Sequence, residues 1–339
     1  GLPVATLEPG TFKLYNMGQE VAIHVEGDGD ASFEDGEYLL FYGEELESKY
    51  TAYNVYWLTY GGGTGKPMAS RSGAPSTGTT PLSHRARQRV EENNYYIAFL
   101  SGDENLERFV WDYVYPPEKP TSTKTFSLPP FAEGSHEGRL EVRMFGYIDD
   151  PIDPDHHTQI YLNGTLVEDA TWDGVTWRLA DVKFSQSLLK VGENTISVQC
   201  PNDTGVGKDL IYVDWAALEF ARAFAAAGNV LAFRYEQAGT WKYEVGGFTT
   251  DKIVVFDVTD PKAVVRIIGA TVTPDGTAYS LAFSDEVDSA TDYWLGGTSA
   301  FLNPASIESD KPSNLGSTAN GADYIIVSHV AFGTAVAPL

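Results

Sequence analysis

GRLEVRMFGYID, residues 138–149, decides the fold: Leu140, Val142 and Met144 alternate with Arg139, Glu141 and Arg143. A period of two puts one set on each face of an extended chain, so the stretch reads as a half-buried β-strand with an apolar and a charged face. The same pattern continues on both sides. TFSLPPF (125–131) precedes it, and HHTQIYLNGTLVEDATW (156–172) follows, with Asn163-Gly164 as a hairpin signal that needs positive φ. LLKVGENTISVQC (188–200) adds a turn and a strand. LIYVDWAALEFARAF (210–224) adds a last strand, with Ile211, Val213 and Trp215 expected on one face against Tyr212 and Asp214. About eight short strands in about 100 residues, with no strong helical period, predict a jelly-roll β-sandwich over 122–224.

The flanks are β-rich as well. FKLYNMGQEVAIHVEG (12–27), EYLLFYG (37–43) and YNVYWLTYG (53–61) read as aromatic strands of an N-terminal β domain, 1–121. Residues 61–81 are Gly, Ser, Thr and Pro-rich, a flexible loop or an edge excursion. SHRARQRVEEN (83–93) reads either as one or two helical turns or as an extended exposed segment, because Val90 is nearly its only apolar residue. From NVLAFRYE (229–236) to TAYSLAFSD (277–285), strands recur at intervals of about ten residues, which predicts an immunoglobulin-like β region over 225–315. After a polar linker, ADYIIVSH (322–329) is a continuous apolar run of the kind buried on both faces in a parallel sheet. The expectation is an all-β, multi-domain sandwich array whose last segment, 316–339, is a linker and the first strand of a further α/β domain.

Composition excludes several function classes. The 339 residues are 42% hydrophobic and 13% aromatic, so ordered cores are expected. The formal charge is −24, which repels phosphate backbones and anionic lipid; nucleic acid and membrane insertion are not expected as partners. The single cysteine, Cys200, excludes an internal disulfide and a cysteine-based zinc site. It ends an apolar strand before Pro201 and reads as a small buried residue.

Two acidic loops read either as solvated acidic turns, the second made rigid by proline, or as oxygen-rich sites for Ca²⁺: Asp28, Asp30, Glu34, Asp35 and Glu37 in the first, Asp149, Asp150, Asp153 and Asp155 in the second. Neither follows EF-hand spacing. The second lies beside His156 and His157, which adds a His-carboxylate metal site as an alternative, and CPNDTGVGKD (200–209) supplies Asp203 and Asp209. Trp172, Trp177 and Trp215, with Tyr147, read either as core or as a platform on which sugar rings stack.

FKLYNMGQEVAIHVEGDGDASFEDGEYLLFYG, NVYWLTYGGG, DPDHHTQIYLNG, LIYVDWAALEFARAF, YEVGGFTTDKIVVFDVTDP and ADYIIVSH occur in this order across nearly the whole chain. Together they resemble the region that precedes the catalytic domain in gingipain-like cysteine peptidases, a group that includes the sortase-like peptidase of the type IX secretion system. The resemblance implies a bacterial protein secreted or held at the cell surface. It implies a β region that scaffolds or shields a peptidase domain, its own partner, or recognises a protein substrate. It also makes ADYIIVSH the first strand of that caspase-like domain. No position in this chain matches the family's catalytic His and Cys. His329, at the end of that strand, has no expected partner here. A carbohydrate- or cell-surface-binding module and a structural or adhesive surface protein are the alternative readings.

Overall fold

The computed structural model describes residues 6–27, 32–46, 51, 53–100, 108–310, 313–314, 316–322 and 325–336. It is an all-β fold of several sheets with a few single helical turns. Residues 1–301 form one compact unit and 302–339 a second.

Two sheets face each other in the jelly-roll region. One runs 112–114, 211–222, 137–146, 177–185, with 84–90 also paired to 211–222; the other runs 121–128, 192–199, 156–162, 165–172. Apart from the hairpin that joins 156–162 to 165–172, consecutive strands from 121 onward switch sheets, which brings Leu140, Val142 and Met144 against Ile160, Leu162, Ile196 and Val198 in one core. Each such side chain, fully removed from water, contributes about 1.5–3 kcal/mol. The expected hairpin is present: Asn163 (φ 50°) and Gly164 (φ 81°) join the paired strands at Leu162 and Thr165. A Cβ at Gly164 would meet no atom within 4 Å, so Gly164→Ala tests backbone strain alone. Its expected cost is about 1 kcal/mol by denaturant melt; a shift near zero would show that the turn relaxes.

A bulge corrects the expected face of Trp215. Val213 pairs with Met144 and Trp215 with Arg143, so Asp214 is the extra residue. Ile211 and Val213 enter the core, whereas Trp215 turns to the outer face under the Arg89 guanidinium.

Residues 84–90 form a strand, not a helix. Arg85, Arg87 and Arg89 point outward at every second position, and Arg87 bonds Glu219 (3.0 Å) and Glu141 (2.5 Å) on the strands beyond. Ala86 and Val90 pack on the jelly-roll core.

The 230–297 region is a second sandwich. Its five-stranded sheet runs 230–235, 291–297, 253–257, 265–268, 69–72, and its three-stranded sheet 239–248, 278–287, 271–275. Between them lies an aromatic core of Phe233, Tyr243, Phe283 and Tyr293. Strand 69–72 pairs parallel with 265–268, so the Gly/Ser-rich stretch makes an edge excursion. Segment 1–121 thus places strands 69–72, 84–90 and 112–114 in the sheets of its two neighbours. What it keeps to itself is a small cluster of Phe12, Leu14, Val21, Ile23 and Val25 beneath the sheet 19–21, 13–16, 56–59, and two two-stranded ribbons, 24–26 with 38–40 and 95–96 with 109–110.

In the second unit, the described residues of ADYIIVSH form no strand, and Ile325, Ile326 and Val327 are exposed. A parallel strand needs neighbours to satisfy its backbone groups, and no strand is described in 302–339 to supply them.

Candidate functional site

The histidine and aspartate residues singled out in the sequence meet at one end of the jelly-roll sandwich. His156 and His157 open strand His156–Leu162, and being adjacent in a strand they leave opposite faces. They therefore cannot share one ion.

His156 is completely buried. Its Nδ1 lies 2.6 Å from Asp209 Oδ1 and its Nε2 3.3 Å from Asp155 Oδ1. The ring packs on Trp172 with centroids 4.2 Å apart. Gly146 makes room for this: a Cβ there would fall 2.3 Å from His156 Nε2 and 2.6 Å from the Trp172 ring. Asp155, also completely buried, accepts from the Asp150 N–H (3.2 Å) and the Gly174 N–H (3.1 Å), which staples two loops together. Burial works against charging His156, but the hydrogen bond and charge of Asp209, with Asp155 beyond, outweigh it and raise its pKa above the ordinary 6.5.

His157 faces outward between two carboxylates, Nδ1 at 2.6 Å from Asp203 Oδ1 and Nε2 at 2.8 Å from Asp169 Oδ1. A neutral imidazole has one N–H, so two short carboxylate contacts require the imidazolium. Partial burial opposes that charge, and the bonds to Asp203 and Asp169 overcome it, so this pKa also rises. In return His157, then Gln159, hold Asp169 below the usual carboxylate range.

Cys200 donates its S–H to Asp209 Oδ2 at 3.3 Å. Burial, then the Asp209 charge, push the thiol up to about 12. The carboxylate stands between thiol and imidazole, the reverse of a catalytic order in which the imidazole takes the thiol proton. The cluster is built to hold charge in place: two imidazoles tie the loop carrying Asp203 and Asp209 to the start of a core strand.

The other candidates fall elsewhere. Asp28 and Asp30 lie outside the described residues. Glu34 and Glu37 close a turn on each other, Glu37 Oε2 accepting from the Glu34 N–H (2.9 Å), while Asp35 is exposed. Asp150 caps the Ile152 N–H at 3.1 Å. Partial desolvation, then Asp153, Asp155 and Asp149, raise the pKa of Asp173. Among the described residues no three His, Cys, Asp or Glu side chains converge where an ion could sit. Trp172 belongs to one sheet and Trp177 and Trp215 to the other. Trp177 meets Phe145 edge-on at 5.0 Å under the Arg143 guanidinium at 4.1 Å, and Arg89 sits 4.6 Å over Trp215. The three rings thus make no common platform. In the second unit, His329 Nδ1 accepts from the Ala331 N–H. Sequence reasoning missed Asp169; its signal was its place on the hairpin strand that follows His157.

The sequence matches no protein-family model and no curated protein. Among solved structures, the chain is similar to dimeric latent PorU from Porphyromonas gingivalis, with a TM-score of 0.63 and 12% identity over 86% of this chain. A cycloisomaltooligosaccharide glucanotransferase from Paenibacillus sp., complexed with cycloisomaltoheptaose, aligns at 8% identity over 67% of this chain and 46% of the enzyme, but its TM-score of 0.20 carries no argument. The chain spans 30% of the PorU chain, and what the two share at this identity is a fold, across a distant structural relationship.

Proposed function

We propose that this chain is a non-catalytic β region of a secreted gingipain-like cysteine peptidase, and that it holds or shields the peptidase domain. The observation that carries the reading is the fold likeness to PorU, which runs through 86% of this chain yet takes in only 30% of PorU. The state of Cys200 supports it: a buried thiol, pushed up to about 12 and bonded to a carboxylate, is the opposite of an activated nucleophile. No helix among the described residues is long and apolar enough to cross a membrane.

The test is to express the complete open reading frame that encodes this chain, and separately the 339 residues alone. Turnover of Arg- or Lys-containing peptides is expected from the longer polypeptide and none from the shorter. A complete frame that encodes no further domain with a Cys and a His sinks the reading. Cys200→Ser, which keeps a donor to Asp209, is expected to shift stability by about 1 kcal/mol or less. Peptide turnover by residues 1–339 that this substitution removes would overturn the proposal.

A further inference from the structure

Residues 73–83 and 223–229 carry the chain between the two sandwiches. His84 and Arg222 form the last pair of the ladder between strands 84–90 and 211–222, where both connections leave the jelly roll. The His84 ring is 4% exposed and lies between Phe224 of the second connection and Phe233 of the second sandwich, with centroids 5.2 and 5.3 Å away. Both phenyl rings belong to the aromatic core of the second sandwich, so a jelly-roll side chain plugs its neighbour's core. Nδ1–H reaches the Arg85 carbonyl at 3.3 Å, whereas Nε2 is buried with no hydrogen-bond partner among the described residues. A second proton can enter only at Nε2, where no acceptor receives it.

The surroundings hold no charge of the opposite sign. Arg222, alongside, donates to the Ala225 carbonyl at 3.2 Å. Arg85 leans away on the outer face toward Glu219, and Arg234, next to Phe233, bonds Asp292. Tyr243 and Tyr293 stand behind Phe233 with Tyr235 beyond, and burial keeps their hydroxyls neutral. We propose that His84 is an acid-sensitive latch: neutral, it holds the two sandwiches together, and protonated, it withdraws and lets them part at the two connections. Burial, more than the charge of Arg222, lowers its pKa from 6.5 to about 4 against the Arg85 bond. A lowered histidine contributes stability that is complete above its free value and lost as pH falls through the folded one. With about 4 in the closed state and 6.5 in the open one, the opening constant rises about 30-fold from pH of about 7.5 to 5. His156 and His157, being raised, act in the opposite direction.

Amide exchange of the full chain reads that constant. Three amides bond the connections to strand 239–248: Ala226 to the Gly246 carbonyl (2.9 Å), Gly246 to that of Phe224 (3.1 Å) and Lys242 to that of Thr79 (3.0 Å). Corrected for intrinsic rates, their protection is expected to fall about 30-fold from pH of about 7.5 to 5, and that of Ile196 and Val198 in the jelly-roll core much less. His84→Phe keeps the plug and cannot charge, so its fall should stay within about threefold. The His84 ring's own NMR titration in the unaltered chain, with a midpoint expected below about 5, needs no variant. An unchanged protection across this range overturns the proposal, because Phe224 and Phe233 then hold the imidazolium between their faces. A fall of the same size in His84→Phe, or in Ile196 and Val198, also overturns it: other groups, or unfolding of the whole unit, are then responsible. So does a titration midpoint at or above about 6.5.

Discussion

Arg71→Met is expected to lower the stability of the 1–301 unit by about 3 kcal/mol, since a buried ion pair that loses one partner typically costs 3–5. Arg71 sits on strand 69–72 and its guanidinium reaches both sheets of the second sandwich. Nε donates to Asp285 Oδ1 at 2.9 Å, one terminal nitrogen reaches the other Asp285 oxygen, and the second donates to Asp257 Oδ2 at 2.8 Å. Asp285 is on the three-stranded sheet with its side chain 3% exposed, and it also accepts from the Tyr293 hydroxyl at 2.8 Å. Methionine fills the stem's volume but leaves a buried carboxylate without its cation. The side chain of Arg71 is 31% exposed, so water relieves part of the penalty, which is why the low end of the range is expected. At about 2–4 °C per kcal/mol for a unit of this size, melting falls by roughly 6–12 °C. Arg71→Lys keeps the charge and loses the fork, so it should restore less than half of the loss. A drop under about 2 °C for the methionine variant would mean that strand 69–72 is not held through this residue.

Arg71 also marks where the sequence stopped being legible. The two sandwiches could be read because alternation is local: Leu140, Val142 and Met144 announce a face whatever lies opposite. The helix-or-extended ambiguity at 83–93 had its answer in the same place, since Arg85, Arg87 and Arg89 already alternate. What no local pattern carries is which distant strand completes a sheet. Strand 69–72 joins 265–268 and strand 84–90 joins 211–222, pairings about 130–200 residues apart, set by tertiary packing and not by propensity. The bulge that reverses Trp215 is hidden for a related reason: one extra residue flips every later side chain, and it shows only against the partner strand. At the candidate site, the sequence offered His156, His157, Asp203 and Asp209 without their partners, and the folded chain pairs His156 with Asp209 and His157 with Asp203. Two adjacent histidines in a strand face apart, so the two pairs lie on opposite faces, and which aspartate meets which ring is set by loops about 50 residues away in sequence.

Asp209→Ala is expected to cost about 3 kcal/mol, because it strips a completely buried imidazole of its carboxylate partner and removes the acceptor of the Cys200 thiol in one step. Its pH dependence separates a charge lock from mere packing. Both His156 and His157 have pKa values raised above 6.5 in the folded chain. A raised histidine contributes stability that is complete below its unfolded value and disappears as pH climbs through the folded one. Asp169 is depressed below 3.8, so its contribution is present above that value and lost as pH falls through the folded one. The loops at this end of the sandwich should accordingly be tightest between pH of about 4 and 6.5, with melting temperature declining as the buffer turns alkaline. Asp209→Asn keeps an acceptor for His156 and removes its counter-charge, so the alkaline decline should begin at lower pH, with less loss than alanine causes in mild acid. Asp203→Asn should change stability by about 1 kcal/mol or less, because Asp203 is largely exposed and Asp169 still faces the ring. If the shifts caused by Asp209→Asn and Asp209→Ala are each the same at every pH, His156 is neutral in the folded chain. The cluster is then a hydrogen-bonded plug, and the loop carrying Asp203 and Asp209 is held without a charge lock.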